Sequence, residues 1–307
     1  MGAISVFDFA SGEATKLIHK SFALERHLQS KIENNLDVML GIRFLKSEFP
    51  TSNGRIDTIG LDENNTPVVI EYKRNRNDGI ILQSLFYLDW LQNHRLDFRF
   101  LVDGILGSDV ANQIDWAKPR IICIAESFSP YDVSAVNQIK RDVQLLQYHW
   151  FRDDLLVLES LNTDVGIFKG ASSVEISTAQ DTNLGEFEKA TTTNLDDLKN
   201  SESYIQDMFK DLDDRLFQLG TDVNRKPVKT YVAYRKVKNF AAVQIQKRSI
   251  AVYLKIDPKS VDLEDQFSSD MTNIGHIATG NLELVLKTVL DVERAMPLIT
   301  RSYEENL

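Results

Sequence analysis

Residues 54–73 read GRIDTIGLDENNTPVVIEYK, and this stretch decides the fold. Two strand-like runs, 55–61 and 67–73, flank the turn-forming DENNT at 62–66. If that five-residue loop closes a hairpin, Leu61 is expected opposite Pro67, Ile59 opposite Val69, Asp57 opposite Glu71 and Arg55 opposite Lys73. Side chains alternate along a strand, so Asp57, Glu71 and Lys73 share one face while Ile56, Val68, Ile70 and Tyr72 share the other. The hairpin therefore predicts one reactive face and one packed face.

Upstream, Leu17, Phe22 or Leu24, Leu28, Ile32 and Leu36 recur at three- and four-residue intervals, which predicts an amphipathic helix over 13–36 with Ser11 as its N-cap. Residues 41–51 are a candidate strand. Downstream, Ile80, Ile81, Leu85, Phe86, Leu88 and Leu91 are too dense and too extended for a strand and predict a buried helix over 79–93. Strands are expected at 97–102 (DFRFLV), 119–125, 143–149 and 154–159, with a helix near 132–142. From Gly170 to about Ser201 the composition turns to Ser, Thr, Ala, Asn, Asp and Glu, as in a linker. Beyond it, 202–218 reads as a helix, 228–234 and 240–256 as strand-like runs, and 281–300 as a closing helix. The expected organisation is a domain at 1–165, a linker at 166–201 and a smaller α+β domain at 202–307.

Directly opposed residues on neighbouring strands carry β-carbons about 4.5–5.5 Å apart, so paired carboxylates at Asp57 and Glu71 repel unless a positive charge lies between them. A divalent cation meets that need, and an all-oxygen ligand set favours Mg²⁺ or Mn²⁺ over zinc. Such an ion can lower the pKa of bound water and neutralise charge on a phosphoryl oxygen. Lys73, on the same face, is placed to orient that water or stabilise the transition state.

Gly54-Arg-Ile-Asp57, the spacing of 14 from Asp to Glu, and Glu71-Tyr-Lys73 resemble the core of the PD-(D/E)XK, or restriction-endonuclease-like, nuclease superfamily. Gln83 and Tyr87 form a Q-x-x-x-Y pattern on one helical face and are similar to the RecB-type branch and the NucS-type endonucleases. The resemblance covers roughly residues 13–160. It implies an α/β fold with an αβββαβ core, a Mg²⁺- or Mn²⁺-dependent endonuclease, and DNA rather than RNA as substrate. Catalysis would fall to Asp57, Glu71 and Lys73 with support from Gln83 and Tyr87, and metal binding to Asp57 and Glu71 with Glu25 as an additional acid. Pro50 does not directly precede the metal-binding Asp, a departure in a poorly kept position. Arg55, Arg74 and Arg76 flank the constellation and are candidates for gripping phosphates, although a solvated basic turn fits Arg74 and Arg76 equally. The C-terminal stretches Tyr231–Phe240 and Asn273–Gly280 resemble a small bacterial domain of unknown function found beside such nucleases.

Other acid-x-Lys triplets, Asp197–Lys199 and Asp257–Lys259, lack an upstream G-x-x-D, so only Glu71 belongs to the constellation. The net charge of −10 and pI near 5.1 argue against nonspecific coating of nucleic acid, while leaving room for positive potential confined to a cleft. Residues 225–259 hold ten Lys or Arg against one acid, with Tyr231, Tyr234, Phe240 and Tyr253 interleaved. That pattern suits single-stranded nucleic acid binding by charge and stacking, and suits an ordinary strand-rich segment equally well. The single cysteine, Cys123, sits in an apolar run and reads as a small buried hydrophobe, which excludes internal disulfides and cysteine-cluster zinc sites. The five histidines show no metal-ligand spacing, and no phosphate loop or serine elbow is present. No signal or spanning segment is evident, so a cytoplasmic protein without membrane contact is expected. The alternative class is a nucleic-acid- or partner-binding protein that keeps the nuclease fold without cutting; homodimerisation is left open.

Overall fold

The computed structural model describes residues 4–52, 54–74, 79–152, 154–161, 193–274 and 278–306. The chain divides into two units, 1–162 and 163–307. In the first, β1 (Phe7–Asp8), β2 (Thr15–Lys16) and β3 (His19–Lys20) precede α1 (Glu25–Glu33) and α2 (Leu36–Leu40). Next come β4 (Ile42–Thr51), β5 (Gly54–Asp62), β6 (Pro67–Lys73), α3 (Ile80–Asn93), α4 (Arg95–Leu106) and α5 (Ser108–Ala111). β7 (Arg120–Ala125), α6 (Pro130–Val136), β8 (Asp142–Phe151) and β9 (Leu155–Ser160) complete it. One mixed sheet runs in the order β3-β8-β7-β6-β5-β4, with β9 on β8; β6, β7 and β8 are parallel to one another. The order α1, β4, β5, β6, α3, β7 is the expected αβββαβ core.

From the turn as far as Thr58 the register is as read from the loop length, with Leu61 facing Pro67, Ile59 facing Val69 and Thr58 facing Ile70; the expected Asp57–Glu71 and Arg55–Lys73 pairs are not part of the ladder among the described residues. The packing differs from that reading. Ile59, Leu61 and Val69 share a buried cluster with Ile80, Ile81, Leu88 and Leu91 of α3 and Phe98 and Val102 of α4. Val68, Ile70 and Tyr72, of opposite parity, are fully buried as well, but Ile56, expected on their face, packs instead in the cluster of Ile59, Leu61 and Val69. Parallel crossovers cover both faces of a sheet. The expected reactive face is therefore a packed face too, and only its end, at Asp57 and Glu71, is polar.

Four element assignments are corrected. Residues 13–24 form no helix: Leu24 is exposed, Phe22 is buried against Tyr148 and Trp150 of β8, and His19 and Lys20 pair with Phe151 and Trp150. Helix α1 starts at Glu25 and buries Leu28 and Ile32. DFRFLV lies in α4, where Phe98 and Val102, four apart, are buried while Phe100 is 72% exposed, a helical rather than an alternating pattern. Leu282–Leu286 is a strand with alternating burial, and the closing helix begins only at Val289, where Thr288 and Asp291 form a capping box. The helix expected near 132–142 starts earlier, at Pro130, behind a Ser129 cap, and ends at Val136.

The second unit holds α7 (Asn194–Asp197), α8 (Ser203–Gln218), β10 (Asn224–Pro227), β11 (Val232–Arg235), β12 (Asn239–Ile245), β13 (Ile250–Leu254), β14 (Ser268–Asp270), β15 (Leu282–Leu286) and α9 (Val289–Glu305). Its antiparallel sheet runs β10-β11-β12-β13-β15-β14. Ile205, Met208 and Leu212 of α8 and Val292, Ala295 and Ile299 of α9 share a core with Val232, Val243, Val252 and Leu284. Most of the expected linker lies outside the described residues, but its last part, α7, is tied to this sheet. Asn194 is buried, its Oδ1 accepts from Ile245 N (2.7 Å) and its Nδ2 donates to Ile245 O (3.2 Å). Asn194→Ala leaves a buried strand end unsatisfied and is expected to cost this unit about 1–3 kcal/mol, read as a lowered denaturant midpoint.

The stacking reading of 225–259 is also corrected. Tyr231, Tyr234, Phe240 and Tyr253 are all buried, and Tyr234 donates to Asp213. Arg225 pairs with Asp213 (2.6 Å) and Lys236 with Asp222 (3.1 Å), so part of the local positive charge is answered within the unit.

Candidate active site

Asp57 leaves the β5–β6 ladder just beyond the Thr58–Ile70 pair, and carboxylates take over where backbone pairing ends. Glu71 Oε1 accepts from Asp57 N (3.2 Å), and Asp57 Oδ2 accepts from Tyr72 N (3.0 Å). Each acid thus caps the opposite strand, which fixes both carboxyls at the mouth of the hairpin. Glu71 is fully buried, and its Oε2 has no hydrogen-bond partner among the described residues.

The electrostatics follow from that burial. Burial first, and then the neighbouring Asp57 charge, push the Glu71 carboxyl up to about 9. Burial likewise raises Asp57 above the usual carboxylate range, against the opposing pull of the Tyr72 N–H and Lys73. For Lys73 burial acts to lower the pKa, but Glu25 and Asp57 outweigh it, and the amine is held above the ordinary lysine range. Lys73 is therefore an ammonium donor in this site, with Glu25, Asp57 and Glu71 all within its electrostatic reach.

Glu25, expected as a third metal ligand, is turned elsewhere. Its Oε1 lies 3.2 Å from Lys73 Nζ and its Oε2 accepts from Arg74 N (3.0 Å). Among the described residues no three His, Cys, Asp or Glu side chains are grouped to hold an ion. The acids available to one cation are the pair Asp57 and Glu71. Mg²⁺ suits such a pair, since it commonly binds through one or two carboxylates and keeps several waters. The unpartnered, buried Glu71 Oε2 is the feature a cation would answer.

Gln83 and Tyr87 bond to each other (3.4 Å) along one face of α3. Tyr87 meets the hairpin at Gly54, and among the described residues neither side chain hydrogen-bonds to the carboxylates. A β-carbon on Gly54 would stand 2.6 Å from the Tyr87 hydroxyl, and Gly54 has φ +143°, so glycine is required there on both counts. The first residue of G-x-x-D and the last of Q-x-x-x-Y are thus in contact, which anchors β5 against α3. Of the three arginines, Arg55 is 67% exposed and 3.8 Å from Glu48, while Arg74 donates from Nη1 to Ala23 O (2.8 Å). Arg76 lies outside the described residues. Cys123 is buried against Ser84 Oγ (3.4 Å), with its thiol pushed up to about 12 by burial, as an inert core residue should be.

Sequence reasoning missed Gln29, Glu33 and Thr58. Gln29 Nε2 donates to the carbonyl of Asp57 (2.8 Å), and Thr58 Oγ1 donates to Glu33 Oε1. For Gln29 and Glu33 the signal was the spacing from Glu25, since residues four apart on a helix share a face; Thr58, on β5, carried none.

A family profile described as "Domain of unknown function (DUF5655)" matches residues 196–306, the second unit, in keeping with the likeness read at Tyr231–Phe240. A protein of Haemophilus influenzae described as uncharacterized is 26% identical over 310 residues, covering 98% of this chain and 100% of its own length. Among solved structures, the crystal structure of a repair endonuclease from Pyrococcus abyssi is 19% identical with a TM-score of 0.28, over 42% of this chain and 50% of that one. EndoMS in a dsDNA complex is 20% identical with a TM-score of 0.26, over 42% of this chain and 47% of that one. EndoMS in its apo form is 18% identical with a TM-score of 0.28, over 44% of this chain and 49% of that one. The chain thus spans about half the length of the solved structures it matches. Among the described residues no helix is long and apolar enough to cross a membrane.

Proposed function

We propose that the first unit is a Mg²⁺- or Mn²⁺-dependent nuclease that hydrolyses phosphodiester bonds. The observation that carries the reading is the mouth of the β5–β6 hairpin. Two carboxyls, Asp57 and Glu71, are held against each other beside an ammonium, Lys73, with one buried carboxylate oxygen left unanswered. DNA is the substrate class that the motif resemblance implies.

In this reading Asp57 and Glu71 would hold the cation, which when bound supplies a more acidic water and charge neutralisation at the phosphate. The protein's own contribution is positional. Backbone N–H groups of Asp57 and Tyr72 fix the two carboxyls, and Lys73 presents a permanent positive charge to the phosphoryl oxygens. Tyr87, bonded to Gln83, secures the strand that carries Asp57 through the Gly54 contact. Neither hydrogen-bonds to Asp57, Glu71 or Lys73 among the described residues, so their role is support.

The test is a cleavage assay of the full chain on duplex, branched, mismatched and single-stranded DNA and on RNA, with Mg²⁺ or Mn²⁺ and with EDTA. Cutting of at least one DNA substrate that EDTA abolishes is the expected result. Metal-independent cutting would remove the metal assignment, and no cutting of any substrate would favour a binding protein built on the same core.

A further inference from the structure

Helix α1 presents Glu25, Gln29 and Glu33 at four-residue intervals, on one face, and each engages the catalytic hairpin. Glu25 holds the exit of β6 through Lys73 Nζ and the Arg74 N–H. Gln29, only 6% exposed, donates to the Asp57 carbonyl, to Ser47 Oγ (3.1 Å) and to Glu33 Oε1 (3.1 Å). Glu33 accepts from Thr58 Oγ1, which also bonds the Tyr72 hydroxyl (3.3 Å). The three side chains form a ladder that fastens both strands of the hairpin to one rigid element.

On this ladder Glu25 already uses both oxygens, each in a bond of the strong, charge-assisted class. Turning toward the carboxyl pair would release Lys73 and the Arg74 N–H together. The resemblance assigns Glu25 to the metal; its contacts do not. We infer that Glu25 is a positioning residue for Lys73 rather than a metal ligand, the first rung of a Glu25–Gln29–Glu33 ladder that sets the hairpin in place. The inference rests on the nuclease reading of Asp57, Glu71 and Lys73.

The experiment is Mn²⁺ titration calorimetry on the full-length wild type, Glu25→Gln and Asp57→Asn, together with kcat and KM for cleavage. The Glu25 side chain is 40% exposed, so its replacement leaves the core untouched. Expected for Glu25→Gln is a Mn²⁺ affinity within about threefold of wild type, with kcat down about 10–100-fold and KM little changed, the usual size for loss of a supporting contact. Asp57→Asn should show no binding heat. Amide exchange at Arg74 should quicken in metal-free Glu25→Gln, a readout independent of catalysis. If Glu25→Gln loses Mn²⁺ as Asp57→Asn does, Glu25 is a ligand and the inference fails alone. Wild-type kcat in Glu25→Gln would also overturn it. If the wild type itself neither binds Mn²⁺ nor cuts, the nuclease reading falls and this inference with it.

Discussion

Glu71→Gln is expected to abolish cleavage and, in the absence of divalent cations, to make the protein more stable at alkaline pH than the wild type. The two effects share one cause. Glu71 is fully buried with an unpartnered Oε2, and burial followed by the Asp57 charge raises its carboxyl from 4.5 to about 9 in the folded state. A folded pKa above the unfolded one means that the native state holds a proton the unfolded state releases. The stability this confers is fully present below 4.5 and is lost as pH rises through about 9. In EDTA the wild-type melting temperature should therefore fall from about pH 5 to about pH 9, whereas Glu71→Gln, which needs no proton to stay neutral, should lose much of that slope. Near pH 9 the difference should be on the order of 1–3 kcal/mol, the usual cost of a buried unsatisfied group. At about 2–4 °C per kcal/mol this is readable by calorimetry or circular dichroism. Mn²⁺ should restore the alkaline wild type and leave the variant unmoved, because a ligand stabilises only the fold that binds it. A Glu71→Gln protein less stable than wild type throughout that range would show that the carboxylate is better solvated than its burial indicates. One that cuts at the wild-type rate would remove Glu71 from catalysis.

The hairpin was legible because three local facts agree: a five-residue loop rich in turn formers, strand-like runs on both sides, and acids placed symmetrically about the turn. Loop length fixes register, and register fixes which residues meet. What could not be read was what covers each face. Ile59, Leu61 and Val69 share parity with the acids yet pack under α3 and α4, because parallel strands β6, β7 and β8 demand helices on both sides. DFRFLV failed for a different reason. Phe98 and Val102 are two steps of a period-two pattern and also one turn of a helix, and six residues do not separate the two. The apolar spacing at 13–24 was coincidental: helix formation needs a buried stripe, and Leu24 faces solvent while Phe22, His19 and Lys20 find partners on β8. NLELVL at 281–286 did carry its strand signal, alternating Leu282, Leu284 and Leu286, but was absorbed into the helix that follows. Glu25 lies beside Lys73. Only the contacts of its two oxygens show that it faces the lysine.

Lys73→Ala is expected to lower kcat roughly 10²–10³-fold, the size found when one donor to a developing anion is removed, while leaving the fold and the metal-binding pair intact. Burial works against the ammonium, yet Glu25 and Asp57 hold it above the ordinary lysine range, so at neutral pH the group has no free base to offer. It can orient a water or stabilise negative charge, but it is not the group that accepts the proton. Lys73→Met should therefore match Lys73→Ala, and neither should delete a limb of the pH–rate profile near neutrality. Removing a positive charge beside Asp57 and Glu71 also relieves repulsion on an incoming cation, so Mn²⁺ affinity should be unchanged or tighter in both variants. Lys73→Arg should not recover the rate, since the broader guanidinium fork cannot occupy a position set by one point contact to Glu25 at 3.2 Å. Single-turnover cleavage on the most rapidly cut DNA, with Mn²⁺ calorimetry alongside, reads all of these outcomes. A Lys73→Ala protein with an unaltered single-turnover rate would leave two buried acids with no catalytic partner. Loss of Mn²⁺ binding together with rate would instead place Lys73 among the groups that hold the carboxyl pair in shape.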